Sequence, residues 1–202
     1  MLPGEWQRLP AVQFVPQALA YLGLAIWALR NDCVNQRLGL LPGGFGVGLR
    51  WGLMTGLILG TVNVAVILWL VPSFGGDIGF LRDTPHARMP PALMLPWVII
   101  LIAFFVEVNF RGFLLGRLLV LGRTIFPAPT MIAPTLAIAG SALIFSFDPF
   151  MVATFRDLHW IAVWDGLIWG LIYLRLGTLH TTIIAHAVEV IVMYSIIKYA
   201  LA

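Results

Sequence analysis

The sequence predicts an all-α fold: one integral membrane domain over residues 1–202, built as a polytopic bundle of about six transmembrane helices. Three observations predict it. Hydrophobic residues make up 60% of the chain and charged residues 10%, whereas a soluble domain carries roughly 25% charged residues. The apolar residues run in continuous blocks, while barrel strands alternate in character over ~10 residues. A bilayer core ~30 Å thick is crossed by ~20 mostly apolar helical residues, and six segments approach that length, near 11–29, 51–71, 92–110, 131–147, 160–174 and 181–201.

The first segment follows MLPGEWQRLPAVQF, which lacks a basic run ahead of a small-residue cleavage site, so it is expected to stay as an anchor. Proline, glycine and charge clusters separate the other segments and read as loops: LLPGGFG (40–46), FGGDIGFLRDTPHARMPP (74–91) and FDPFMVATFRDLH (147–159). The third segment is expected to end near Gly112, and the following GFLLGRLLVLGR to leave the membrane or lie along its surface. The fifth segment is short and is expected to draw on its flanks.

Net charge is +3, and the twelve basic residues stand singly between apolar blocks. That pattern excludes a nucleic-acid surface. It also carries a topology signal: with the N-terminus outside, the inner side receives Arg30, Arg37, Arg50, Arg111, Arg117, Arg123 and Arg175, against Arg8, Arg82, Arg88, Arg156 and Lys198 outside. The single cysteine, Cys33, has no internal disulfide partner.

Glycines recur four apart in Gly52, Gly56 and Gly60, in Gly112 and Gly116, and in Gly166 and Gly170. Small residues at this spacing let membrane helices meet at backbone distance. The spacing fits packing within the chain or, alternatively, a dimer interface.

Charge inside the membrane costs ~2.5–3.5 kcal/mol per residue on insertion scales, so each intramembrane ionisable group needs a reason. Glu107 and Arg111 stand one turn apart in FFVEVNFRGFLL, glutamate first, the favourable order for an ion pair. Either they neutralise each other and pin the helix, or Arg111 keeps a carboxylate ionised for use in a cavity. His186 and Glu189 share a face of the last segment, where an imidazole could be a metal ligand, a proton carrier or a hydrogen-bonded core group. Asp165 has no partner on its own segment and is expected to meet Arg111, Arg175 or a polar group across the bundle. Asp148 sits at a segment end.

The order FRGFLLGRLL, SALIFSF and GLIWGLIYLRLGTLHTTIIAHA resembles the CPBP family of intramembrane proteases related to CAAX-processing and bacteriocin-processing enzymes, over a core of about 92–192. That family carries EExxxR, FxxxH and HxxxN on successive helices. The resemblance implies a CAAX-protease-like helical core in which a glutamate and histidines activate water, with zinc as the metal if the protease reading holds. Laid on this chain, Val106 stands at the first glutamate, with Glu107 and Arg111 matching the rest of that motif. Phe145 matches in the second motif, but Pro149 holds the histidine position, one residue after Asp148. His186 matches in the third, and Val190 replaces the asparagine, one residue after Glu189. Valine and proline side chains neither bind metal nor move protons.

The expected function is therefore a non-catalytic protein on a protease-like scaffold, binding membrane lipids, other membrane-protein subunits or a membrane-embedded peptide, in a prokaryotic cytoplasmic (inner) membrane. Glu107, Arg111 and His186 are the family-matching site residues, with His186 the candidate metal ligand. The alternative is a working endopeptidase with a site rebuilt from Glu107, Asp148, His186 and Glu189, whose carboxylates and imidazole could hold zinc. A transporter using the intramembrane carboxylates would show matching halves, and no repeat is evident.

Overall fold

The structure is a computed structural model that describes residues 14–128 and 131–201, which leaves Arg8 and only the first residues of the expected N-terminal anchor outside the described residues. Every regular element among the described residues is helical. Helix α1 spans Val15–Leu29 and opens on a proline in its first turn, where the missing N–H costs nothing. Helix α2, Phe45–Ala65, runs on through a widened turn at Val66–Leu70 to Ser73. Helix α3, Ile99–Glu107, passes through a second widened stretch, Val108–Leu115, into α4, Gly116–Ile125. Helix α5 is Ile132–Ser146, α6 Pro149–Phe155, α7 Ile161–Leu176 and α8 Leu179–Ala200.

All six apolar segments become helix, but their lengths differ from the expected set of six full spans. Among the described residues three stretches are long and apolar enough to cross a membrane, Val34–Ser73, Ile99–Ile125 and Leu179–Ala200; α5 with α6 makes a fourth only if the pair, bent by 54°, is taken as one span. The α1, α5 and α7 helices, of 15, 15 and 16 residues, fall short of the ~20 residues a straight crossing uses.

Residues 112–123 are helical, as their period predicts, and continue α3 without a break, with Gly112 and Leu115 buried in the bundle and the widened turn keeping the backbone bonded as i→i+5. One local expectation is corrected. The 147–159 stretch also contains α6, whose N-terminus is capped by Asp148 accepting the Phe150 N–H at 2.9 Å, with Pro149 in the first turn.

The glycine stripe packs within the chain. A methyl group added at Gly52 would lie 2.7 Å from Ile184 Cβ, at Gly56 2.5 Å from the Ala185 carbonyl oxygen, and at Gly60 2.9 Å from Val192 Cβ. Gly48 extends the same seam, and together these residues bring α2 against α8. Gly166 does the same for α7 against Ala142 of α5, and also leaves room for the Arg111 guanidinium, 3.1 Å from where its Cβ would stand. Gly39, at φ +73°, offers its carbonyl to the Leu179 N–H at 2.9 Å and so satisfies the buried start of α8.

Candidate functional site

The expected intramembrane ionisable residues are all buried, and they fall into two clusters. The first is built on the widened turn after α3. Glu107 and Arg111 are both 0% exposed, so Arg111 belongs to the bundle interior and not to the inner-loop charges with which the sequence grouped it. Arg111 Nη1 donates to Glu107 Oε1 at 3.2 Å, and His186 Nδ1 of α8 lies 2.9 Å from the same oxygen. In the tautomer that carries hydrogen on Nδ1, one carboxylate oxygen accepts from both groups.

Aromatic rings complete this cluster. The guanidinium carbon sits 4.8 Å from the Phe145 ring centre and 4.9 Å from that of Trp169, a geometry that favours a desolvated cation. His186 stacks on Trp169 with centroids 4.6 Å apart. The motif phenylalanine thus has a physical task, covering Arg111, and Ser141 ties its helix to the motif turn by donating to the Phe110 carbonyl at 2.9 Å.

The second cluster lies on α2, α7 and α8. Asn63 Nδ2 donates to both oxygens of Asp165, at 3.2 and 3.1 Å, and to Glu189 Oε1 at 2.8 Å. Its own carbonyl accepts from Trp164 Nε1 at 2.9 Å, which fixes the amide's orientation. Glu189 Oε2 is buried without a partner. Asp165 therefore meets a polar group across the bundle, as expected, while Arg175 stays at the surface. Sequence reasoning missed Asn63. The available signal was a lone amide in the apolar run LGTVNVAVIL, where a polar side chain survives only with partners.

Asp148 stands apart, 9% exposed, accepting from Gln17 Nε2 as well as capping α6. Among the described residues no three His, Cys, Asp or Glu side chains converge so as to hold a metal ion. The side chains proposed to hold zinc are spread over separate groups: Glu107 Oε1 meets Arg111 and His186, Asp148 meets Gln17 and a backbone N–H, and Glu189 Oε1 meets Asn63, while Glu107 Oε2 and Glu189 Oε2 are without partners.

Between the helices lies a cavity of about 520 Å³, within the ~300–1,000 Å³ range of small-molecule sites. Its walls are mainly apolar, with Met94, Ile99, Ile102, Phe110, Phe145 and Met193 among them. Val106, Asp148, Asp165, His186, Glu189 and Val190 also line it, whereas Glu107 and Arg111 do not. His86 reaches this cavity from the loop after α2, and burial pushes its imidazole below the ordinary value.

Apolar helices around a polar interior and a cavity define an integral membrane protein. Residues 88–192, just over half of the chain, match the family model of the type II CAAX prenyl endopeptidase Rce1-like proteins. The chain belongs to that family, whose members are intramembrane endopeptidases. No curated protein and no solved structure matches it.

Proposed function

We propose that this chain is a non-catalytic member of its family, a pseudoenzyme that uses the intramembrane cavity to bind a largely apolar ligand or membrane-embedded segment and serves as an accessory subunit of a membrane assembly. Its proposed home is a prokaryotic cytoplasmic membrane. One observation carries the reading: Val106 and Val190, at the positions where the family resemblance implies a base and an asparagine, both line the cavity, while the retained Glu107 and Arg111 do not. The ligand space therefore meets methyl groups where hydrolysis would use lone pairs, and the surviving motif carboxylate is spent on Arg111 and His186.

The endopeptidase alternative draws support from Asp148, His186 and Glu189, which do line the same cavity. Incubation of the protein in nanodiscs with a prenylated CAAX peptide separates the two. The binding reading expects cleavage no faster than with empty nanodiscs. Cleavage that disappears in both H186A and E189Q would overturn it. Isolation in mild detergent is expected to recover a stoichiometric partner.

A further inference from the structure

We propose that the cavity's ligand carries an ammonium group, seated on Asp165 and Glu189, at one end of an apolar body. The inference rests on the cavity being a binding site and deepens that reading by naming the ligand's chemistry.

Charge and hydrogen-bond inventory both point this way. Three carboxyl groups, Glu107, Asp165 and Glu189, are nearly or fully excluded from solvent, and one guanidinium, Arg111, is buried with them. Arg111 Nη1 donates to Glu107, and among the described residues no cation lies within salt-bridge distance of Asp165 or Glu189. Both carboxyls lean on a single donor, the Asn63 amide, whose N–H groups are already divided among three oxygens. Glu189 Oε2 has no partner at all, although buried polar atoms are nearly always satisfied.

What is missing at this point is donors and positive charge, and an ammonium supplies both, with three N–H donors on one cation. Asp165 and Glu189 line the cavity, so an amine entering it reaches the pair. The rest of the ligand is set by the other walls: Ile99, Ile102, Met193 and Phe110 offer dispersion contacts and apolar burial, while of the lining's own cations, Arg82 and Lys198, the second is taken up by the Ala87 and Met89 carbonyls. A neutral alcohol of equal length would bury the same tail but bring one donor and no charge, and a fatty acid would add a further negative charge to an uncompensated pair.

The test is equilibrium binding of radiolabelled dodecylamine, dodecanol and dodecanoate to the full chain in phosphatidylcholine nanodiscs, with empty nanodiscs subtracted. The expected result is saturable dodecylamine binding at one site, at least about 10-fold tighter than dodecanol, a gap of ~1.4 kcal/mol, with dodecanoate weakest. In E189Q and D165N the amine's advantage over the alcohol is expected to fall to about 2-fold or less. Phosphatidylethanolamine in the nanodisc that displaces the amine would support the same chemistry and identify the lipid headgroup as its source.

Equal affinity for amine and alcohol in the wild type, or an amine preference that survives both variants, would overturn the ammonium assignment. V190W, which fills the cavity, keeps the two readings apart. Dodecanol binding that is saturable and lost in V190W upholds the cavity even where the ammonium assignment fails. No saturable binding of any of the three would remove both.

Discussion

The two buried polar clusters each hold unpartnered polar atoms, and they differ in charge balance and in access to the cavity. In Glu107–Arg111–His186, a cation, a carboxylate and an imidazole meet at one oxygen, under the aromatic faces of Phe145 and Trp169, with Glu107 and Arg111 excluded from the cavity. In Asn63–Asp165–Glu189, two carboxyls share one amide, and both face the cavity. The first is internally balanced and ties helices together. The second is short of donors and open to a ligand. Burial of charge alone therefore says little about use, and the balance of partners separates an architectural cluster from one able to receive something.

Removing the cation from the balanced cluster gives the largest expected effect. R111M leaves Glu107 buried and uncompensated, a loss of about 3–5 kcal/mol, read as a fall in thermal unfolding temperature in detergent. Pairing it with E107Q is expected to recover much of that loss, which a cluster without internal balance would not show.

The glycine seam comes next, since it holds Asn63 of α2 against Glu189 of α8. G56A places a methyl group 2.5 Å from the Ala185 carbonyl oxygen, and overpacking of this kind costs about 1–3 kcal/mol. If the seam positions the open cluster, the same variant weakens cavity binding as well as stability.

N63L removes the only donor shared by the two acids. The expected loss is about 2 kcal/mol, in line with hydrogen bonds to charged groups, and it is expected to shrink when D165N or E189Q is added. An unchanged loss in the double variants would mean that Asn63 acts through packing and not through the carboxyls. S141A, which cuts the 2.9 Å bond to the Phe110 carbonyl, should cost about 1 kcal/mol.

The smallest effect concerns His86 at the cavity wall. Burial holds its imidazole below the ordinary value, so the unfolded chain binds the proton more readily. Stability from this residue is present above the unfolded-state value of ~6.5 and is lost as pH falls below it. Thermal unfolding at pH 7.5 and 5.5 should show a steeper acid loss in the wild type than in H86F.

Much of the fold was legible because the membrane leaves few alternatives. Long apolar runs must satisfy their backbone within the segment, so the six blocks read directly as helices. The ends were less legible. Residues 112–123 read as helix from their period, but not as one unbroken rod with α3, a continuity set by the widened turn and the burial of Gly112 and Leu115. Asp148 and Pro149, in a stretch that read as loop, instead start a short helix. In the site, Glu107, Arg111, His186, Asp165 and Glu189 were found from the improbability of charge in an apolar run. Asn63 was overlooked because a neutral amide stands out less than a charge.

The sequence by itself determined the chemistry available to this protein: apolar blocks that must become buried helices, and a handful of ionisable groups too costly to keep without partners. Only the tertiary structure decided who partners whom. Glu107 and His186 are 79 residues apart in the chain, and Asn63 and Glu189 126. Such pairs depend on how closely α2 and α3 approach α8, and that approach is a property of packed surfaces that no single segment encodes.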